Sequence, residues 1–229
     1  MSSFRLSLGL IVLGALMIGV PTPTFAAHTT TATYTKFDEL VRHVERTKRS
    51  RGGERYSSAI TRAVRDLDED VAVNLKVPVL LGVTASQLLP NFGDPRGGGT
   101  RSHEGLDIMA PRGAFVASPT EAVVVRTGEG ESAGIYVYTA NPGGETFAYM
   151  HLDSIADGIK PGTKLKAGDI IGYVGNTGNA SGGAPHLHFE IRGKNGLVDP
   201  CTRITREFTL EERITALKSL LAALQKAQA

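Results

Sequence analysis

The chain has 229 residues, 41% of them hydrophobic, which suffices for one sizeable core with appendages but not for two full domains. A net charge of +2 is too small a bias to argue for nucleic acid as a partner. With Cys201 as the only cysteine no intramolecular disulfide can form, and the residue reads as a packed or unreactive thiol.

Residues 1–26 have the layout of a secretory signal. Arg5 gives a short positive start, Leu6 to Val20 an apolar run, and Thr24-Phe25-Ala26 a small-residue cleavage site, with cleavage expected after Ala26 or Ala27. The apolar run is shorter than the roughly 20 residues of a spanning helix, and no cysteine stands near the site for lipidation. The expectation is an exported protein, periplasmic or extracellular, with no membrane span in the mature chain.

Residues 27–78 read as a helical amino-terminal arm. After a threonine-rich lead-in, Phe37, Leu40, Val41 and Val44 fall on one helical face. Ile60, Val64, Leu67 and Val71 repeat the pattern beyond the break at Gly52-Gly53. The opposite face carries Arg42, Arg46, Arg49, Arg62 and Arg65, either a solvated helix face or a patch for an anionic surface or a regulatory partner. His28 and His43 lie outside every motif. Asn74 to Pro78 ends the arm, because the residue before a proline is pushed out of helical conformation.

From 79 to 205 short apolar runs alternate with turn signals. Strands are expected over Val79 to Val83, Leu106 to Met109, Ala122 to Arg126, Ile135 to Thr139, Phe147 to His151, Ile170 to Val174 and His186 to Arg192. Asn141-Pro142-Gly143-Gly144 reads as a hairpin turn. The fold class is therefore mainly β, an antiparallel sheet core with helical appendages at both ends. Lys160 to Gly172 resembles the paired turns of lipoyl and biotinyl carrier domains, but no lysine stands in the Met-Lys-Met-like setting a carrier requires. Residues 206–229 are again helical: Thr209-Leu210-Glu211-Glu212 fits a capping box, and Leu210, Ile214, Leu217, Leu221 and Leu224 form a stripe expected to pack on the arm or the β core, or against a partner helix.

Two motifs within the β region carry chemistry. His103 and Asp107 bracket Glu104-Gly105-Leu106 in a His-x-x-x-Asp spacing. His186 and His188, at i and i+2 of a strand, point to one face, and the glycine-rich run from Gly175 to Gly183 delivers that strand. Histidine and aspartate suit zinc, and three protein ligands leave a fourth tetrahedral position for water, the mark of a catalytic metal. The combination of His103-x-x-x-Asp107 with His186-Leu187-His188-Phe189-Glu190 resembles the lysostaphin-like zinc peptidases that cut peptidoglycan peptides. The match runs from about Asn91 to Pro200 and takes in Phe92-Gly93, Ala148 to Leu152 and Val174 to Gly178.

The resemblance implies zinc held by His103, Asp107 and His188. His151 and His186 would be the catalytic histidines, which suits the ordinary histidine pKa near 6.5. With no His-Glu-x-x-His present, the general base is not the glutamate of that helix motif. The implied activity is that of an exported zinc metalloendopeptidase acting on peptidoglycan stem peptides or cross-links. The rivals are a non-catalytic or autoinhibited activator of another cell-wall hydrolase and a secreted peptidase acting on glycine-rich proteins. Glu104 and Glu190 are candidates to orient an imidazole, and Arg96 is a doubtful contact for a substrate carboxylate because Asp94-Pro95 shifts its spacing.

Overall fold

The computed structural model describes residues 58–227. The expected signal segment, the expected Phe37 to Val44 face, His28 and His43 lie outside the described residues.

Helix α1 (Ser58–Arg65) leads into β1 (Leu75–Lys76), and β2 (Pro95–Arg96) and β3 (Arg101–Ser102) form a small hairpin. The remaining strands are β4 (Leu106–Met109), β5 (Phe115–Ala117), β6 (Ala122–Gly130), β7 (Gly134–Asn141), β8 (Glu145–Ile155), β9 (Lys164–Leu165), β10 (Ile170–Val174), β11 (His186–Gly193), β12 (Gly196–Val198) and β13 (Ile204–Arg206). Helix α2 (Leu210–Ala227) follows. Nine strands make one antiparallel sheet in the order β12-β11-β8-β7-β6-β9, with β4 on β11 and β10 bridging β5 and β8. The mainly β class is that read from the alternation of apolar residues.

Each strand's apolar alternation decides its faces. Leu187, Phe189 and Ile191 on β11 turn into the core beside Phe147 and Tyr149 of β8, all of them fully buried. Phe147 and Tyr149 meet Phe189 at ring-centroid distances of 5.4 and 5.3 Å. Each such side chain contributes roughly 1.5–3 kcal/mol of burial, and edge-to-face contacts add to it. A register slip of one residue would turn this set outward, so the core fixes which face His186 and His188 occupy. The β7–β8 hairpin turns at Pro142–Gly144, where Gly143 and Gly144 take φ of 73° and 68° that only glycine adopts freely.

Two local expectations are corrected here. Val79 to Val83 forms no strand: Val79 makes only an isolated bridge to Val116, since Pro78 before it has no N–H and Gly82 turns the chain at φ 82°. The strand of that region is β1, which pairs in parallel with β13. Helix α1 stops at Arg65; Ile60, Val64 and Leu67 pack on Val123, Val125 and Ala140, while Val71 is left exposed.

Helix α2 is capped as expected, with Glu212 N–H donating to Thr209 Oγ1 at 3.2 Å and Thr209 N–H to Glu212 Oε2 at 2.9 Å. It packs through Ala216, Leu217 and Leu220 against Leu80, Ile170 and Phe208. Leu210, Ile214, Leu221 and Leu224 of the expected stripe stand exposed. The packed face is offset from the stripe because Ala216, too small to register in the leucine pattern, is the side chain the helix buries most fully among its described residues. Among the described residues no helix is long and apolar enough to cross a membrane.

Candidate metal centre and active site

The site lies on the face of the sheet opposite the core. Asp107 on β4 sits directly across from His188 on β11, and His188 is in turn across from Met150 on β8. His103 comes from the short link between β3 and β4 and is 4% exposed. Its Nδ1 donates to the Asn91 carbonyl at 2.7 Å, which leaves Nε2 as the free lone pair. That atom lies 2.9 Å from Asp107 Oδ1 and 3.0 Å from His188 Nδ1, and the last two are 2.8 Å apart. Among the described residues this is the one group of histidine, cysteine and carboxylate side chains close enough to share a metal ion. One oxygen and two nitrogens converging at these separations, on buried or half-buried side chains, fit the donor set of a zinc ion with a position left open.

The electrostatics match this convergence. Burial acts to raise the Asp107 pKa, but the hydrogen bond from His188 and the positive fields of His188, His103 and His186 outweigh it and hold the carboxyl well below the ordinary carboxylate range. Burial acts to lower the His188 pKa, yet hydrogen bonds to Asp107 and Glu190 bring it up to about 9. The other Asp107 oxygen, Oδ2, accepts from Arg96 Nη2 at 2.8 Å. Arg96, which also lines the cleft, is thus paired with Asp107.

His151 reaches the same face by an irregularity. On β8 Tyr149 and Leu152 both point into the core, so two residues stand between them where alternation allows one. Opposite them β7 advances by only two, from Ile135 to Val137, so β8 carries an extra residue there. His151 takes that place with φ 61°, the one positive φ outside glycine among the described residues. A β-bulge of this kind bends the strand and re-aims a side chain. The His151 ring is brought to 5.1 Å from that of His186 and 5.7 Å from that of His188. Its Nδ1 donates to the Thr177 carbonyl at 2.9 Å, which leaves Nε2 as acceptor. Burial first, then the charges of His188 and His186, pushes its pKa down to about 4, so the ring is neutral at pH 7. His186 donates through Nδ1 to the Ala184 carbonyl at 3.0 Å and holds Nε2 3.8 Å from Asp107 Oδ1.

All five histidine and aspartate side chains singled out by the sequence therefore meet in one place. They line an open cleft of about 550 Å³ whose other walls include Arg96, Arg101, Ser132, Tyr138, Asn179 and Arg192. Asn91 and Thr177, whose carbonyls orient two of the imidazoles, carry no chemical signal in the sequence, because a backbone acceptor can belong to any residue type. Gly105 has a spatial reason: a Cβ there would lie 2.6 Å from the Phe189 carbonyl oxygen and 2.8 Å from His188 Nε2.

Residues 101–200 match the family described as Peptidase family M23. The chain is 36% identical over 111 residues to the L-Ala--D-Glu endopeptidase of Bacillus subtilis, covering 46% of this chain and 34% of that protein. It is 31% identical over 117 residues to the peptidoglycan DD-endopeptidase ShyC of Vibrio cholerae, covering 51% and 26%. A solved zinc-containing peptidase from Vibrio cholerae superposes with a TM-score of 0.47 at 28% identity, over 59% of this chain and 41% of that one. The matched stretch spans about a third or less of the curated relatives' own length.

Proposed function

We propose that the protein, whose residues 101–200 match peptidase family M23, is an exported zinc metalloendopeptidase that hydrolyses peptide bonds in peptidoglycan stem peptides or cross-links. The observation that carries the proposal is the convergence of His103 Nε2, Asp107 Oδ1 and His188 Nδ1 within 3.0 Å, with His151 and His186 beside them. The names of the Bacillus and Vibrio relatives support the wall peptide as substrate, and the Arg5 to Ala26 pattern supports export to the periplasm or the cell wall.

His103, Asp107 and His188 would hold the metal. A zinc ion at such a site supplies a bound water of pKa near 7 and polarises a carbonyl as a Lewis acid. The two remaining histidines move the protons. His151, kept neutral by burial and by its neighbours' charge, accepts at Nε2 the proton of the attacking water, while its Nδ1–H stays tied to Thr177. His186 presents Nε2 to the same space and, when protonated, donates to the oxygen that gains charge as the carbonyl becomes tetrahedral. The proton taken by His151 then passes to the leaving amine, so that water's hydroxyl ends on the new carboxyl and its protons on the products.

The test is zinc content together with fragment release from purified sacculi, for the mature chain and for His188→Ala and His186→Ala. The expected result is one zinc and released peptides for the parent chain. His188→Ala should lose the metal, whereas His186→Ala should keep it and lose turnover by about 10²–10⁴-fold. A parent chain that holds zinc but leaves every sacculus intact, with and without its amino-terminal arm, overturns the proposal.

A further inference from the structure

The face of β11 that bears His188 continues into two more charged residues. Glu190 is 4% exposed, and its Oε1 lies 3.2 Å from His188 Nε2. Its other oxygen accepts from Arg192 twice, from Nε at 3.0 Å and from Nη2 at 2.8 Å. Arg192 Nη2 also donates to Glu104 Oε2 at 2.6 Å. Glu104 sits in the link between His103 and Asp107, so a chain of four side chains runs from one ring, along β11, to the segment that carries the other two ligand side chains.

A carboxylate this deep is costly to bury, and the guanidinium fork is what makes it tolerable. Its effect on the ring is specific. A metal bound at Nδ1 would replace the proton which that atom otherwise shares with Asp107, and the one proton left on the ring is then held at Nε2 by Glu190. Gly105 protects this contact, since a Cβ at that position would lie 2.8 Å from His188 Nε2 and 3.0 Å from Glu190 Cγ.

We infer that Glu190, clamped by Arg192, is a positioning residue that commits His188 to present Nδ1 to the metal, and that Arg192 also anchors the His103–Asp107 segment through Glu104. The role rests on the metal assignment proposed above. A purely structural ion pair would move stability alone; a positioning role moves the ligand atom and the affinity as well.

The experiment compares the full chain with Glu190→Ala, Glu190→Gln, Arg192→Lys and the double variant Glu190→Leu with Arg192→Leu, which leaves no buried charge unpaired if a single variant fails to fold. Zinc dissociation constants are measured by competition with a chromophoric chelator, and nitrogen NMR of the zinc-loaded protein reads which ring nitrogen of His188 binds. Glu190→Ala and the double variant are expected to bind zinc about 10–100-fold more weakly and to lose uniform Nδ1 ligation. Glu190→Gln, which keeps an acceptor oxygen, restores most of the affinity, and Arg192→Lys, which cannot fork, falls between. Variants that fold, bind within twofold of the parent and keep Nδ1 ligation overturn the inference. A parent chain that binds no zinc, or that binds it equally well as His188→Ala, instead overturns the metal assignment.

Discussion

At the scale of single residues, the backbone of His151 carries as much information as its imidazole. A left-handed φ costs a residue with a Cβ about 1–2 kcal/mol, and the fold bears that cost at a position whose side chain it needs on the cleft side. Replacing the ring removes the proposed proton acceptor in any variant, so the backbone and side-chain contributions separate by comparing two replacements. His151→Gly and His151→Ala should both abolish peptide release, but the glycine variant should be the more stable by about 1 kcal/mol, the reverse of the usual order within a strand. Equilibrium denaturation of the two checks it, and equal or inverted midpoints would show that φ 61° carries no strain. The position also shows where the sequence stops being legible. His186 and His188 could be placed on one face because alternation holds along β11, whereas the meeting of His103 and Asp107 with them was implied by the family resemblance. The same alternation puts Tyr149 and His151 together, whereas Tyr149 is fully buried and His151 faces the cleft. The extra residue is set by pairing with β7, a strand that begins 17 positions earlier, and nothing local to Met150-His151 announces it.

At the scale of elements, the glycine-rich segment before β11 latches the sheet around the site. Thr177 Oγ1 donates to the Leu152 carbonyl at 2.8 Å and accepts from Ile135 N–H at 2.9 Å, while its own carbonyl holds His151. One threonine thus joins the segment to β7 and β8 on both sides of the bulge. Close packing of backbone explains the glycines flanking it: a Cβ on Gly175 would lie 2.3 Å from Asp153 N, and one on Gly178 2.2 Å from Gly134 N. Arg112 adds a second tie by bonding both Asp153 and Asn176. Thr177→Val keeps the volume and strips the hydroxyl, leaving a donor and an acceptor unpaired. It should cost about 1–3 kcal/mol in denaturation and lower the turnover of wall fragments, with zinc content unchanged because Thr177 contacts none of the three ligands. Loss of zinc in that variant would show that the segment supports the metal site too. Glycine and asparagine made this segment readable as a loop; its role as a clamp depends on contacts with residues 25 and 42 positions away, beyond the reach of any local pattern.

At the scale of the whole molecule, the question is where the folded unit begins. A division at Val79 follows naturally from Pro78, but the core draws on residues before it. Leu75 and Val77 are fully buried in the main core. Leu75 N–H donates to the Arg203 carbonyl at 2.8 Å and Val77 N–H to the Arg206 carbonyl at 2.9 Å, so β1 ties β13, and hence helix α2, to the sheet. Between them Lys76 pairs with Glu212 at 2.7 Å and lies over the Phe208 ring. A chain starting at Val79 loses two aliphatic side chains worth roughly 1.5–3 kcal/mol each in burial, together with the strand pairing and the lysine contact. A chain starting at Ser58 keeps all of them, and keeps Ile60 and Ala63 over β6 as well. Urea denaturation should therefore give the Ser58 chain a stability close to that of the mature protein and the Val79 chain one at least about 3 kcal/mol lower, with α2 the first element to lose its protection from hydrogen exchange. Equal stabilities would mean that β1 is dispensable and that the boundary falls after Pro78. Because a destabilised enzyme can lose activity for reasons unrelated to an inhibitory arm, the effect of the amino-terminal segment on wall hydrolysis has to be judged with the chain that begins at Ser58. Greater activity there than in the mature protein is the outcome that would assign the preceding residues an inhibitory role.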